Sequence, residues 1–200
     1  MLNVVIAGIG GQGSVLAAKI LAQAAQAKGW QVRTAETIGM AQRGGSVTSH
    51  VRMGSQGEQV DAPLVPYGRA QLVIALEPGE GVRALPFLAP DGLLVSATTV
   101  SPAVVANLAG KTSDAEPMLE RLRNEAPHFE QIDENAICQE VGSRKVANVV
   151  MLAAAIAASK RTGFGLGDAI SSQEISQAMQ ECVKPRFVDM NMKAIAEATR

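Results

Sequence analysis

The residues best suited to chemistry in this 200-residue chain form a glycine-rich loop near its start. Gly8, Gly10 and Gly13 keep the spacing G-x-G-x-x-G, and Gly11 leaves the loop still poorer in side chains. Glycines let a ligand approach the backbone closely, and the free N–H groups at the start of a following helix attract an anion. The loop therefore predicts a phosphate site. It could equally serve only the close packing of strand against helix, or present its backbone to a partner protein.

An acidic residue, Glu36, lies at the end of the next predicted strand. A dinucleotide-binding fold places at this point the carboxylate that holds a ribose hydroxyl. Glu36 is accordingly the residue that most favours a nucleotide-binding interpretation.

The next segment, Thr37–Gly45 (TIGMAQRGG), is polar and rich in glycine, and Arg43 is its only charged residue. Gln42–Gly45 alone is typical of a surface turn. A segment with so few apolar anchors needs an external reason to be ordered. This favours a loop laid across the mouth of the glycine loop, where Arg43 would reach an anion or the carboxylate of a partner.

The histidines and cysteines of the chain lack partner residues at the spacings typical of catalytic or metal-binding motifs. The two histidines, His50 and His128, have no serine, cysteine or carboxylate in a catalytic pattern, which favours solvated or packed imidazoles. Cys138 and Cys182 lie far apart without a C-x-x-C motif, so this chain cannot by itself ligate an iron–sulfur cluster or a structural zinc. Both fall in apolar segments and are predicted to be buried thiols. We therefore predict no catalytic residue and no metal ligand in the chain.

A strand and a helix must position the glycine loop. The β-branched run Val4–Ile6 predicts a strand that ends at Gly8. Apolar residues at four-residue spacing predict a helix over Ser14–Lys28, which Gly29 ends. Trp30–Glu36 predicts a second strand, so the first βαβ unit is Rossmann-like, with its two strands paired in parallel.

The remaining pattern predicts an α/β fold. Val47–Met53 alternates and predicts a half-buried strand, with His50 on its polar side, whereas Ser55–Gly68 is predicted to be a connection. Further strands are predicted at Leu72–Leu76, Leu93–Ala97 and, at a sheet edge, Phe129–Ile132. Further helices are predicted at Glu80–Leu85, Ser101–Gly110, Asp114–Asn124, Ser143–Arg161, Phe187–Ala198 and from a capping box at Ser171 and Glu174 to before Pro185. A helical turn is predicted at Glu134–Glu140. We expect a three-layer fold with a mostly parallel central sheet and helices on both faces, in a single domain over residues 1–200.

Composition restricts the class further. Hydrophobic residues make up 47% and aromatic residues only 3%, which predicts a sizeable aliphatic core. A net charge of −1 gives no basic field, which argues against a nucleic-acid partner. No cationic start precedes an apolar signal segment, and the longest apolar run, Val149–Ala158, is too short to span a bilayer. We therefore expect a cytoplasmic protein without a membrane partner.

Three stretches together resemble a known family. They are GIGGQGS at Gly8–Ser14, ETIGMAQRGGSVTSHVRMG at Glu36–Gly54, and GSRKVANVVMLAAAI at Gly142–Ile156. Over nearly its whole length the chain resembles the gamma-type subunit or domain of 2-oxoacid:ferredoxin oxidoreductases. The segment AQRGGSVTSHVR is most similar to the beta subunit of indolepyruvate ferredoxin oxidoreductase. The candidate ligand-binding residues are Gly8, Gly10, Gly11, Gln12, Gly13, Ser14, Glu36, Gln42, Arg43, Gly44 and Gly45.

The resemblance implies a function shared with other chains. It implies a cytoplasmic subunit of a complex that decarboxylates a pyruvate-type or indolepyruvate-type 2-oxoacid, passes electrons to ferredoxin and transfers the acyl group to coenzyme A. It implies that thiamine diphosphate and the iron–sulfur clusters belong to companion subunits. This chain would then bind no cofactor tightly, be inactive alone, and contribute a contact to a phosphate of coenzyme A or to a partner. The resemblance leaves open which 2-oxoacid is used and whether the isolated chain forms a homodimer.

Two other functions fit the same residues. A free-standing nucleotide-binding module of the NAD or FAD type would use Gly8–Gly13 for a pyrophosphate and Glu36 for a ribose. A purely structural subunit would use its glycines for packing and docking only, and would bind no small molecule.

Overall fold

A six-stranded sheet forms the centre of the chain, in a computed structural model that describes residues 1–39, 44–55, 57–100 and 114–200. β1, β4, β5 and β6 pair in parallel, whereas β3 is antiparallel to both of its neighbours, β1 and β2. The predicted mostly parallel sheet is therefore confirmed. The order across the sheet is β2-β3-β1-β4-β5-β6, and the strands are β1 (Leu2–Ile9), β2 (Gln31–Ile38), β3 (Ser46–Gly54), β4 (Ala70–Ala75), β5 (Leu88–Ala97) and β6 (His128–Ile132).

Helices cover both faces of the sheet, as predicted for a three-layer fold. On the first face, side chains such as Ile6 and Val95 pack in one core with α1, α5 and α6. On the second face, Val5 and Leu94 pack with α2 and α3. The helices of the described ranges are α1 (Ser14–Ala27), α2 (Pro78–Ala84), α3 (Glu116–Glu125), α4 (Glu134–Val141), α5 (Ala147–Thr162), α6 (Ser172–Cys182) and α7 (Val188–Ala198).

The strand β3 lies between β1 and β2, so the predicted parallel pairing of β1 with β2 is wrong. Ile6 of β1 pairs with Ser49 of β3, and Ser49 pairs with Glu36 of β2. β1, α1 and β2 still form a crossover whose two strands run in the same direction, and β3 then returns antiparallel into the gap between them. A strand–helix–strand pattern indicates the relative direction of its strands, but not whether another strand separates them.

One face of β3 is buried, as its alternation predicts, and carries Val47, Ser49, Val51 and Met53. On the other face Thr48 and Arg52 are only partly buried, but His50 departs from the expected pattern. His50, predicted on the polar side, is only 3% exposed. The backbone N–H of Val65 donates to Nδ1 of His50 at 3.3 Å, so the connection that carries Val65 covers this face of the strand. The ring of Phe87 meets the imidazole edge-on, with 5.3 Å between ring centroids. Burial lowers the pKa of His50 below its ordinary value of 6.5, which favours the neutral imidazole.

Local signals elsewhere in the sequence are largely confirmed. Ser171 and Glu174 form the predicted capping box at the start of α6, with both reciprocal hydrogen bonds present. The helix predicted from Ser143 begins as a 3-10 turn at Arg144–Val146, which leads directly into α5. Of the two thiols, Cys138 is buried as predicted, whereas Cys182 is only partly buried. The helix predicted at Ser101–Gly110 lies outside the described residues.

Acidification should destabilise the protein through His50. The pKa of His50 is lower in the folded chain than in the unfolded chain, so its contribution is fully favourable above pH 6.5 and is lost as the pH falls below that value. Urea denaturation at pH values from about 5 to about 8 should show this loss on the acid side. His50→Asn keeps an acceptor near the position of Nδ1 but does not titrate. The free energy of unfolding of this variant should therefore fall less steeply as the pH is lowered.

The matched control is His128→Asn, which alters the other imidazole of the chain, a ring that stacks on Phe164. The loss of stability at acid pH should be smaller in His50→Asn than in this control. If the free energy of unfolding of His50→Asn falls with acidification as steeply as that of the wild type, groups other than His50 cause the loss of stability.

Candidate functional site

The glycine loop joins β1 to α1 and is tied to two other segments of the chain. The N–H of Gly10 donates to the carbonyl of Gly45 at 2.8 Å. Gln12 folds back over its own loop, where its Oε1 accepts from the N–H of Ile9 at 2.7 Å. Its Nε2 donates to the carbonyl of Leu76, just beyond β4, at 3.4 Å. The loop is thus held against the segment before β3 and against the end of β4.

Gly13 is required for close packing. It has a φ of +85°, in the left-handed region that favours glycine. A Cβ at Gly13 would lie 2.6 Å from Nδ2 of Asn148, in the first turn of α5. The buried Asn148 amide donates to the carbonyl of Gly13 at 3.1 Å. Gly8 is also a packing glycine, because its Cβ would lie 2.9 Å from Oε1 of Gln12.

Gly11 differs from the packing glycines. Its φ is +98°, but a Cβ there would meet no atom of the described structure within 4 Å. Instead Gly11 borders a cleft of about 260 Å³. The predicted loop therefore combines glycines that allow packing with one that keeps space open.

The cleft lies at the carboxyl ends of the parallel strands, where open α/β sheets bind their ligands. Gly11 and Gln12 follow β1, Leu76 follows β4, and Thr99 follows β5. The opposite wall comes from the start of α4 and from the turn that leads into α5. The lining residues are Gly11, Gln12, Leu76, Thr99, Glu134, Arg144, Lys145, Ala147, Asn148 and Met151.

The charged groups of the cleft comprise one carboxylate and two cations. Glu134 is 3% exposed, and its Oε2 accepts from the N–H of Thr98 at 3.1 Å. Its Oε1 lies 3.6 Å from the guanidinium of Arg144, which also donates to Oδ1 of Asn135. Lys145 is exposed on the same wall. The cleft therefore presents a net positive charge of about one elementary unit.

Sequence reasoning did not select Glu134, Arg144, Lys145 or Asn148 as site residues. They lie more than a hundred residues after the glycine loop, and only the fold brings them to it. One signal was available. Two basic residues directly before a long helix interact unfavourably with the helix dipole, and such a costly placement can indicate a binding role.

The described part of the second glycine segment, Gly44 and Gly45, lies beside the glycine loop. Besides the bond from Gly10 to Gly45, Gly44 stands near Ile9, because a Cβ at Gly44 would lie 3.8 Å from that side chain. Gln42 and Arg43 lie outside the described residues. Ser14 is buried as the first residue of α1.

Glu36 is not brought to the cleft. It lies on β2, and β3 separates it from β1, whereas a dinucleotide fold has the two strands adjacent. Its side chain instead lines a separate groove of about 350 Å³ between α1 and β2, together with Val15 and Lys19.

In the ranges that the structure describes, no three His, Cys, Asp or Glu side chains are grouped so that they could hold a metal ion. Among the same residues, no helix has the length and apolar character needed to cross a bilayer.

Solved structures share this fold. A gamma subunit of keto/oxoacid ferredoxin oxidoreductase from Geobacter sulfurreducens superposes with a TM-score of 0.69 at 23% identity, covering 100% of this chain and 96% of that one. The 2-oxoglutarate:ferredoxin oxidoreductase from Magnetococcus marinus, solved with 2-oxoglutarate, coenzyme A and succinyl-CoA bound, gives a TM-score of 0.66 at 17% identity. There the match covers 98% of this chain but only 30% of the longer chain.

Sequence comparisons give the family. Indolepyruvate oxidoreductase subunit IorB from Archaeoglobus fulgidus is 37% identical over 97% of this chain and 92% of its own length. The common gamma subunit of the pyruvate/ketoisovalerate oxidoreductases from Pyrococcus furiosus is 25% identical over 99% and 95%, respectively. The profile of the family described as pyruvate ferredoxin/flavodoxin oxidoreductase matches residues 3–200. The chain therefore belongs to the pyruvate ferredoxin/flavodoxin oxidoreductase family, and the gamma-type resemblance carried by its motifs is confirmed.

Proposed function

We propose that the chain works as the gamma-type subunit of a coenzyme A-dependent 2-oxoacid:ferredoxin oxidoreductase in the cytoplasm. The family match over residues 3–200 is the observation that supports this most strongly. In this proposal residues 1–200 act as one domain, which supplies the glycine-lined edge of an active site completed by companion subunits. The complex decarboxylates a 2-oxoacid, passes its electrons to ferredoxin and transfers the acyl group to coenzyme A.

The redox and thiamine cofactors fit companion subunits better than this chain. A four-iron cluster takes four cysteine thiolates, and the chain has two cysteines. Burial raises the pKa of the thiols of both Cys138 and Cys182, which opposes the thiolate form that a metal requires. The sequence also lacks the thiamine-binding motif of G-D-G followed by paired asparagines. The proposal therefore assigns thiamine diphosphate and the iron–sulfur clusters to the partners.

A phosphate of coenzyme A fits the cleft. Gly11 leaves room for close approach to the backbone, and the start of α5 directs the positive end of a helix dipole at the cavity. Arg144 and Lys145 add positive charge on the facing wall. When bound, coenzyme A would supply the thiol that accepts the acyl group. The residues of this chain would hold the anionic part of that molecule.

An indolepyruvate-type substrate is favoured over pyruvate. The relatives named as indolepyruvate oxidoreductase subunits are 32–37% identical to this chain, compared with 25–26% for those named as pyruvate/ketoisovalerate subunits. We infer that the complex prefers an aryl 2-oxoacid. The pocket that would select it belongs to the thiamine-bearing partner.

The free-standing nucleotide-binding module is less well supported. It needs Glu36 beside the glycine loop, but β3 intervenes and Glu36 faces another groove. A purely structural role is less well supported, because Gly11, whose left-handed backbone already favours glycine, borders the cleft and not a packed neighbour.

Reconstitution tests the proposed function directly. Mixed with a companion carrying thiamine diphosphate and iron–sulfur clusters, the chain should support coenzyme A-dependent reduction of ferredoxin, with a higher kcat/KM for indolepyruvate than for pyruvate. The isolated chain should show no turnover and no tight binding of NAD, NADP, FAD or ATP by calorimetry. Turnover by the isolated chain, or tight binding of any of these nucleotides, would contradict the proposal.

Substitution of Gly11 separates a ligand role from a packing role. Gly11→Ala should lower stability by about 1–2 kcal/mol through its left-handed backbone, and should also raise the KM for coenzyme A because the methyl group enters the cleft. Gly29→Ala is a matched control, since Gly29 has a φ of +77° and equally open surroundings at the far end of α1. The control should show the strain without the change in KM. Loss of complex assembly in Gly11→Ala alone would instead indicate a docking surface.

Arg43 is expected to act at the rim. Arg43→Ala should depress the activity of the reconstituted complex while the subunit itself stays folded, because the sequence places no apolar anchor at this position. Thermal unfolding and steady-state kinetics measure the two effects separately. Arg121→Ala, which removes an exposed arginine from α3, serves as the control. Unchanged kinetics and unchanged affinity for coenzyme A would remove Arg43 from the site.

A further inference from the structure

The two cations of the cleft are not equivalent. The guanidinium of Arg144 lies 3.6 Å from the carboxylate of Glu134 and donates to Asn135, so its positive charge is largely compensated within the chain. Lys145 follows directly, is exposed, and forms no ion pair with any residue that the structure describes. Lys145 is therefore the cation whose charge remains available to a ligand.

The carboxylate that engages Arg144 is itself held in place. Glu134 is the first residue of α4, is 3% exposed, and accepts the N–H of Thr98 at the exit of β5. A buried carboxylate needs a cation or hydrogen-bond donors to offset its loss of hydration. Glu134 has both, which fixes the pairing with Arg144 and leaves the ammonium of Lys145 outside it.

The surroundings of Lys145 suit an oxyanion. Lys145 lies in the turn before α5, and its own N–H donates to Oγ of Ser143 at 3.2 Å, which fixes the backbone of the turn. The positive end of the dipole of α5 lies at the same wall, and the open backbone of Gly11 lies in the same cleft. The amide of Asn148 is occupied by the carbonyl of Gly13, so the ammonium is the charged donor of the cleft that is not paired within the described chain.

We propose that Lys145 recognises a phosphate of the acyl acceptor, with the Arg144–Glu134 pair fixing the wall from which it reaches. This inference rests on the proposed function and assigns the phosphate contact to one residue. A lysine ammonium is a compact point charge on a flexible stem, which suits an exposed phosphate that approaches from outside the chain. Lys145 acts as a binding and specificity residue, and takes no part in the transfer of the acyl group.

The test uses the reconstituted complex and two acceptors that carry the same thiol. Coenzyme A has phosphates, whereas pantetheine lacks them. Lys145→Gln should lower kcat/KM for coenzyme A by roughly tenfold, the effect of one charge-assisted hydrogen bond, and leave kcat/KM for pantetheine unchanged. Lys145→Arg should restore most of the loss. Because Lys145 is exposed, these variants should fold and assemble like the wild type.

The control is Lys160→Gln. Lys160 is an exposed lysine near the other end of α5, roughly 22 Å along the helix from Lys145. This control should leave kcat/KM for both acceptors at the wild-type value. It separates a local contact with phosphate from a general change in the charge of the subunit.

Each outcome decides the inference. An equal loss of kcat/KM for coenzyme A and pantetheine in Lys145→Gln would overturn it, because the residue would then act on the shared chemistry or on the structure. No loss for either acceptor would overturn it as well. Failure of the proposed function is a different result, since the wild-type complex would then show no coenzyme A-dependent turnover at all.

Discussion

The antiparallel pairing of β3 with β1 is the constraint on which the candidate site depends. Because the two strands run in opposite directions, β3 begins where β1 ends, and Ile9 pairs with Ser46. The segment before β3 is therefore delivered to the carboxyl end of β1, where Gly45 accepts the N–H of Gly10. If β3 ran parallel to β1, its first residue would stand at the opposite edge of the sheet, and the two glycine segments could not meet.

The glycine loop gains its shape from contacts that individual glycines make possible. Gly13 admits Asn148 at a distance that a methyl group would forbid, and this contact draws the first turn of α5 up to the loop. With α5 come the cations of the preceding turn. The close packing of the glycine loop against α5 therefore also creates the cleft that a phosphate could enter.

Local signals predicted the elements well and their arrangement less well. The capping box at Ser171 and the apolar run before Gly8 depend on neighbouring residues, so the sequence reveals them. The place of β3 between β1 and β2 depends on competition among strands for partners, which no window of sequence contains. His50 was predicted on the polar side of β3, and its burial could not be read from that strand, because the segment that covers it follows β3 and packs back onto it. Glu134 and Lys145 were not selected because the fold, not their spacing, brings them to the loop.

The position of Lys145 has a consequence for how such chains change over evolutionary time. A positive charge at the amino end of a helix is disfavoured by about 0.3–1 kcal/mol, and the carboxylate of Glu134 compensates Arg144 rather than Lys145. A duplicated copy released from its complex would gain thermal tolerance by exchanging that lysine for a neutral or acidic residue. Retention of the lysine would then distinguish copies still under selection for work in the complex from copies that have drifted to another role.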